Sequence, residues 1–242
     1  MEDRDKYNES DIRVKSPFFE KLDNFWFYHK VHIIVGLFVA VVITVCMVQC
    51  CSKADVDVKV MYAGEYPLTY EESLGIQGDL NAVMPKDFDK NGEKYSELVR
   101  YHVVTAEWIK EKEEEIRNLP DEERYQYQVD RNYFSTEKQN FNNYIMVGEC
   151  GVFLLDMPTY YELASRGILR PLVDVFGEIP DTAVGEYGIK LSQTALYKYS
   201  NYLSVLPEDT VLCLSRKMML GSSSDAELYS RMTEMFVAMA QE

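Results

Sequence analysis

The sequence predicts an α/β protein: an N-terminal transmembrane helix followed by one three-layer-like α/β lobe with a mixed sheet. Three observations predict it. Residues 31–48 (VHIIVGLFVAVVITVCMV) carry no charged side chain, and eighteen residues at 1.5 Å rise make a helix of about 27 Å, close to the ~30 Å hydrocarbon core of a bilayer. Beyond that run, stretches of strand character alternate with stretches of helix character, the pattern of an α/β layer structure. Among them Val152-Phe-Leu-Leu155 is apolar without interruption and bounded by Gly151 and Asp156, the signature of a strand buried on both faces.

Residues 31–50 are therefore read as the anchor, 1–30 as a cytoplasmic tail and 53–242 as an extracellular α/β domain. Lipid offers no partner to unpaired backbone groups, so a span of this kind is helical. Arg13, Lys15, Lys21 and Lys30 precede the run and Lys53 and Lys59 follow it; the excess of Lys/Arg before the run places the N-terminus inside and the domain outside the cell membrane. Phe25, Trp26, Phe27 and Tyr28 stand where amphipathic rings favour the head-group boundary. A cleavable signal peptide competes with this reading. It would have a shorter apolar region and a small-x-small site after it, whereas VQCCSKADV follows Met47.

Charge excludes some partners. The 242 residues include 25 Lys/Arg and 40 Asp/Glu, a net charge of −15. Residues 31–52 hold no charge, and the first thirty sum to only −1, so the outer domain carries nearly all of it. Phosphates would repel such a surface, which points away from nucleic acid.

In chain order, residues 55–62 (DVDVKVMY) alternate, with Val56, Val58, Val60 and Tyr62 on one buried face of a strand. Residues 68–84 read as a helix weakened by Gly75 and Gly78, and 98–105 (LVRYHVVT) as a second strand. The charge run 110–117 is a solvated helix or loop face. Pro120 with Asp121, Glu122 and Glu123 suits a helix start. Residues 131–146 read as a helix, with Asn132 and Ser135 as caps. After the 151–156 strand comes a short helix, 157–165, closed by Gly167. Residues 174–188, holding four Gly/Pro, read as a loop, and the tyrosine-rich 189–206 as one or two short strands. Residues 210–215 form another strand, and Ser222 and Asp225 open a last amphipathic helix, 226–240. Cys150 and Cys213 are read as buried free thiols or, if adjacent, a pair; acylation is open to Cys50 and Cys51.

Asp87, Asp89, Asn91 and Gly92 match the opening of an EF-hand loop, in which a glycine at the sixth position allows the sharp turn. The twelfth position is Leu98 instead of a carboxylate, and Glu97 is one place off. The same residues read equally as an Asp/Asn/Gly turn leading into a strand. Asp87, Asp89 and Asn91 are thus the candidate ligands of a weak calcium site, the one cofactor the sequence suggests.

Leu155, Asp156, Leu163, Ala164, Gly167, Leu169, Pro171 and Leu172 give a buried strand ending in Asp, then a helix, then L-A-x-x-G-x-L-x-P-L. This stretch resembles type-2 extracellular (periplasmic) solute-binding proteins, and the LPEDTVLCL segment with its final helix is similar to the end of one of their lobes. The whole also resembles small membrane-anchored proteins of Gram-positive bacteria. The resemblance implies one lobe of a two-lobe fold, with Asp156 near the ligand cleft and Tyr160 on the helix behind it as candidate ligand-binding residues. A strand-terminal Asp capping the next helix explains Asp156 equally well. No G-x-S-x-G, P-loop or H-E-x-x-H pattern occurs, which points away from an enzyme. The expectation is a single-pass membrane-anchored binding or scaffold module. Its partners would be membrane lipid, through residues 31–50, and a protein, for which its 18 tyrosines suit a contact surface. The alternative is a tethered solute- or peptide-binding receptor associated with a transporter.

Overall fold

The computed structural model describes residues 17–51, 56–216 and 223–241. Arg13, Lys15, Lys53 and Ser222, and the side chains of Cys50, Cys51 and Asp225, lie outside that description. The chain divides into two compact units, Met1–Ala54 and Asp55–Glu242.

Among the described residues the first unit is one helix, α1 (Pro17–Cys51). It begins earlier than the apolar run because nothing between Pro17 and Lys30 breaks a helix, and a proline is tolerated in the first turn, where its missing N–H would be unpaired in any case. Within it Phe25–Met47 is long and apolar enough to cross a membrane, and none of that window is buried, unlike the core helix of a soluble protein.

The second unit runs β1 (Val58–Gly64), α2 (Tyr70–Val83), β2 (Ser96–His102), α3 (Ala106–Arg117), α4 (Asp121–Arg124), α5 (Arg131–Val147), β3 (Val152–Leu155), α6 (Met157–Ser165), α7 (Val173–Phe176), β4 (Ala183–Val184), β5 (Gly188–Lys190), α8 (Ala195–Tyr199), β6 (Val211–Leu214) and α9 (Ser223–Met239). The six strands form one mixed sheet in the order β2-β1-β3-β6-β5-β4. β1 is parallel to β2 (Val60 beside Leu98) and to β3 (Val60 beside Val152). β6 is antiparallel to both its neighbours, β3 and β5.

Helices cover both faces. On one, Val60, Tyr62, Leu154 and Leu212 pack with Ile76 and Leu80 of α2 and Met235 and Phe236 of α9. On the other, Met61, Ala63, Phe153 and Cys213 pack with Phe141 and Ile145 of α5 and Leu163 of α6. β1 is accordingly buried on both sides, not on the single face that alternation suggested, since Met61 and Ala63 are as inaccessible as Val60. The uninterrupted VFLL run is buried throughout, as expected.

Local chemistry sets the ends of the elements. Thr69 and Glu72 form a reciprocal capping box on α2, with Glu72 N–H donating to Thr69 Oγ1 and Thr69 N–H to Glu72 Oε2. α5 is capped by Asp130, which accepts from the Asn132 and Tyr133 amides, rather than by Asn132 or Ser135. Gly148 at its other end has φ 75°, a left-handed conformation that favours glycine. Of the tyrosine-rich segment 189–206 only Ile189 and Lys190, the end of β5, are strand; Thr194 accepts the Tyr197 N–H and starts the helical turn α8. Part of the expected 174–188 loop is likewise ordered as α7 and β4. Cys150 and Cys213 are free and buried.

Candidate functional site

The topology singles out one edge of the sheet. From the C-terminal end of β1 the chain departs to α2 on one face, while from the end of its parallel neighbour β3 it departs to α6 on the other. Adjacent parallel strands whose connections leave to opposite faces open a crevice at their carboxyl ends, where open α/β sheets take their ligands.

Asp156 stands at that point. Its backbone N–H donates to Ala63 O, continuing the β1–β3 ladder. Its Oδ1 accepts the Thr159 N–H at 2.9 Å, capping α6, and its Oδ2 accepts the Glu65 N–H at 3.0 Å. The carboxylate therefore caps the helix and also fixes the loop leaving β1. Of the two roles open to it in the sequence, the helix cap is the one these bonds show. Burial raises its pKa above the usual carboxylate range despite these donors. Glu65 is raised as well, by burial first and then by the charges of Asp156, Glu111 and Asp209.

Tyr62, only 1 % exposed, brings its hydroxyl to the same place. A Cβ on Gly64 would lie 3.0 Å from Tyr62 Oη and 3.1 Å from Asp156 Cβ, so the missing side chain of Gly64 is what lets these two groups approach. Among the described residues Tyr62 Oη has no hydrogen-bond partner; the nearby Tyr66 amide does not complete one. Burial, then the charge of Asp156, raises the Tyr62 pKa. Thr210 Oγ1 is a second buried hydroxyl without a partner. The ladder pairs Ala63 with Leu155 and Leu155 with Val211, so the next row aligns Gly64, Asp156 and Thr210, all on the face that Tyr62 shares.

Beside this row lies a pocket of about 90 Å³ lined by Tyr62, Tyr66, Leu68, Arg100, His102 and Tyr133, among others. The Arg100 guanidinium is turned to the start of α2, donating to Thr69 O at 3.1 Å and to Ser73 Oγ. His102 Nε2 lies 3.0 Å from Glu65 O. A carbonyl only accepts, so Nε2 carries the hydrogen in this contact. The ring packs edge-on against Trp108, Tyr133 and Phe134, and burial lowers its pKa.

No family model, curated protein or solved structure matches the chain. The chemistry of the crevice thus rests on its own atoms: an acidic rim, two buried unpartnered hydroxyls and a tyrosine-walled pocket.

Tyr160 is not among the residues lining that pocket. It is buried, and its hydroxyl donates to the Val184 carbonyl on β4. Burial pushes its pKa up to about 12. A Cβ on Gly188 would lie 3.1 Å from its ring, so the side chain joins α6 to the β4–β5 hairpin.

The acidic loop lies at the opposite, N-terminal end of β1. Asp57, Asp87 and Asp89 each bring a carboxylate oxygen within 4.8 Å of the others. These oxygens are already engaged by the chain. Asp87 accepts the Lys90 and Gly92 amides at 2.7 and 2.8 Å, and the Gly92 donor foremost holds its pKa below the usual range. Asp89 accepts both the Asn91 amide and its side-chain Nδ2, while Asn91 accepts the Glu93 amide. Fully buried Asp57 accepts the Phe88, Asp89 and Tyr95 amides. Glu97, the nearest acid to the twelfth loop position, is in the β1–β2 ladder beside Lys59, 3.8 Å away.

Asp57, Tyr62, Glu65 and Thr210 escaped the sequence reading. Asp57 and Tyr62 look like ordinary members of an alternating strand, and only the tertiary fold brings Thr210 into a row with Asp156. The one local signal was Gly64-Glu65 directly after a strand of an α/β pattern.

Proposed function

We propose that this chain is a membrane-tethered receptor whose α/β lobe faces the outside of the cell and captures a small solute in the crevice between the ends of β1 and β3. The observation that carries the reading is the buried, unpartnered Tyr62 hydroxyl beside Asp156: an orphan polar group at a switch-point crevice calls for a ligand or an ordered water. The apolar helix α1 and the resemblance of residues 148–172 to one lobe of solute-binding proteins support it. His102 supports binding over catalysis, since one ring nitrogen is tied to a carbonyl and the ring is enclosed by aromatics.

The test is a thermal-shift screen of the full chain in lipid nanodiscs against sugars, amino acids, short peptides, amines and metal ions. A ligand that raises the melting temperature, with an effect diminished by Tyr62→Phe, supports the receptor. Absence of any Tyr62-dependent shift across the set rejects it.

A second reading, a scaffold that docks another protein, is favoured by the highly exposed Tyr125, Tyr127 and Tyr199. Cross-linking in native membranes would then recover one partner reproducibly, and Tyr125→Ser with Tyr127→Ser would lose it.

A further inference from the structure

We propose that the ligand of this crevice is a small protonated organic amine, its ammonium group held by Asp156, Glu65 and the hydroxyl of Tyr62. This rests on the receptor reading and adds the ligand class.

The sign comes from the rim. Asp156 and Glu65 meet at the end of β1, joined through the Glu65 amide, and the charges of Glu111 and Asp209 are felt at Glu65. Burial is the first cause of the raised proton affinity of both carboxyls; at Glu65 the neighbouring acids add to it, and at Asp156 the charge of Asp209 does. A cation entering relieves that repulsion, and an anion would add to it. The one cation of the pocket lining, Arg100, is engaged with Thr69 and Ser73.

The choice of amine over metal comes from geometry. A calcium ion takes six to eight oxygens at about 2.3–2.6 Å, which demands converging carboxylates. Among the described residues only Asp57, Asp87 and Asp89 converge within 4.8 Å, and they sit at the other end of β1. Two carboxylates and a hydroxyl are too few oxygens for calcium, whereas an ammonium group has three N–H donors to place. Tyr62 Oη is a buried hydroxyl with no completed hydrogen bond among the described residues, and Thr210 lies in the same row. The adjoining pocket of about 90 Å³, walled by Tyr66, Leu68 and Tyr133, fits a short apolar stem.

The experiment compares n-butylamine with n-butanol, equal in length and differing in charge, on the full chain in nanodiscs, with calcium chloride as a third arm. Binding is read as melting temperature and as dissociation constant by ligand-observed NMR. The expected result is stabilisation by n-butylamine alone, with affinity weakened roughly tenfold in Tyr62→Phe, as loss of a hydrogen bond to a charged group implies. Equal effects of the amine and the alcohol, no effect of either, or a calcium effect abolished by Asp156→Asn overturns the proposal. The amine–alcohol comparison is made on the unaltered chain and so survives any variant that fails to fold. If the wider screen yields a Tyr62-dependent ligand that is not an amine, the ligand class falls and the receptor stands. If nothing binds and Tyr62→Phe merely raises the melting temperature, both fall.

Discussion

Asp57 Oδ1 accepts the backbone N–H of Phe88 at 2.8 Å, across 31 residues of chain. With the Asp89 and Tyr95 amides on the same carboxylate, one buried side chain anchors the whole loop between α2 and β2 to the start of β1. Replacing it leaves three amides without their acceptor. Asp57→Ala is expected to cost about 3 kcal/mol, measured by denaturant unfolding of the full chain. Calcium is expected to restore none of it, because the loop is closed by its own amides.

Gly64→Ala puts a methyl 3.0 Å from Tyr62 Oη and 3.1 Å from Asp156 Cβ. A loss of about 1–3 kcal/mol is expected from this overpacking. Tyr62→Phe removes the nearest of the crowded atoms, so the double variant should recover part of the loss. Simple additivity in the double-mutant cycle would show that the two positions do not meet.

Glu65 gives a pH dependence of defined sign. Its folded pKa is raised, so ionisation is easier in the unfolded chain and the charge costs stability at neutral pH. Glu65→Gln is expected to melt about 2 °C higher than wild type at pH 7. The gain should fade as pH falls through the raised folded pKa toward the ordinary value near 4.5. A gain that grows on acidification would contradict the assignment. The same variant should bind n-butylamine less well.

Tyr160 separates architecture from binding. Tyr160→Phe deletes the hydroxyl that donates to the Val184 carbonyl and should cost about 1 kcal/mol. Any ligand dependent on Tyr62 should bind Tyr160→Phe unchanged, by the same NMR titration.

Phe25–Met47 meets the length and composition of a membrane span. The full-length chain is expected to stay in the membrane pellet through alkaline carbonate extraction, and protease added to intact cells should digest the lobe. Recovery of the chain in the carbonate supernatant would reject the anchor.

What could be read from residues alone follows the range of the interactions. The VFLL run, the capping Asp156 and the helix periodicity of α9 are local patterns, and the α/β class follows from them. The weak Thr-x-x-Tyr signal of α8, Thr194 with Tyr197, lost to the strand propensity of its tyrosines. Asp57 was hidden because strand alternation sends it to solvent, whereas the loop that folds over it comes from more than thirty residues away. Tyr62 and Thr210 meet Asp156 only through sheet order, which no local pattern encodes.

β6 comes last in sequence among the described strands yet stands in the interior of the sheet, between β3 and β5. Until Val211–Leu214 is in place, β2-β1-β3 and β5-β4 are two separate ribbons with open edges. Completion of the sheet must therefore wait for residues 211–214 to emerge, and closure over so long a loop is slow. A lobe delivered across a bilayer as a threaded chain would stay pliable during transit and become rigid only after arrival.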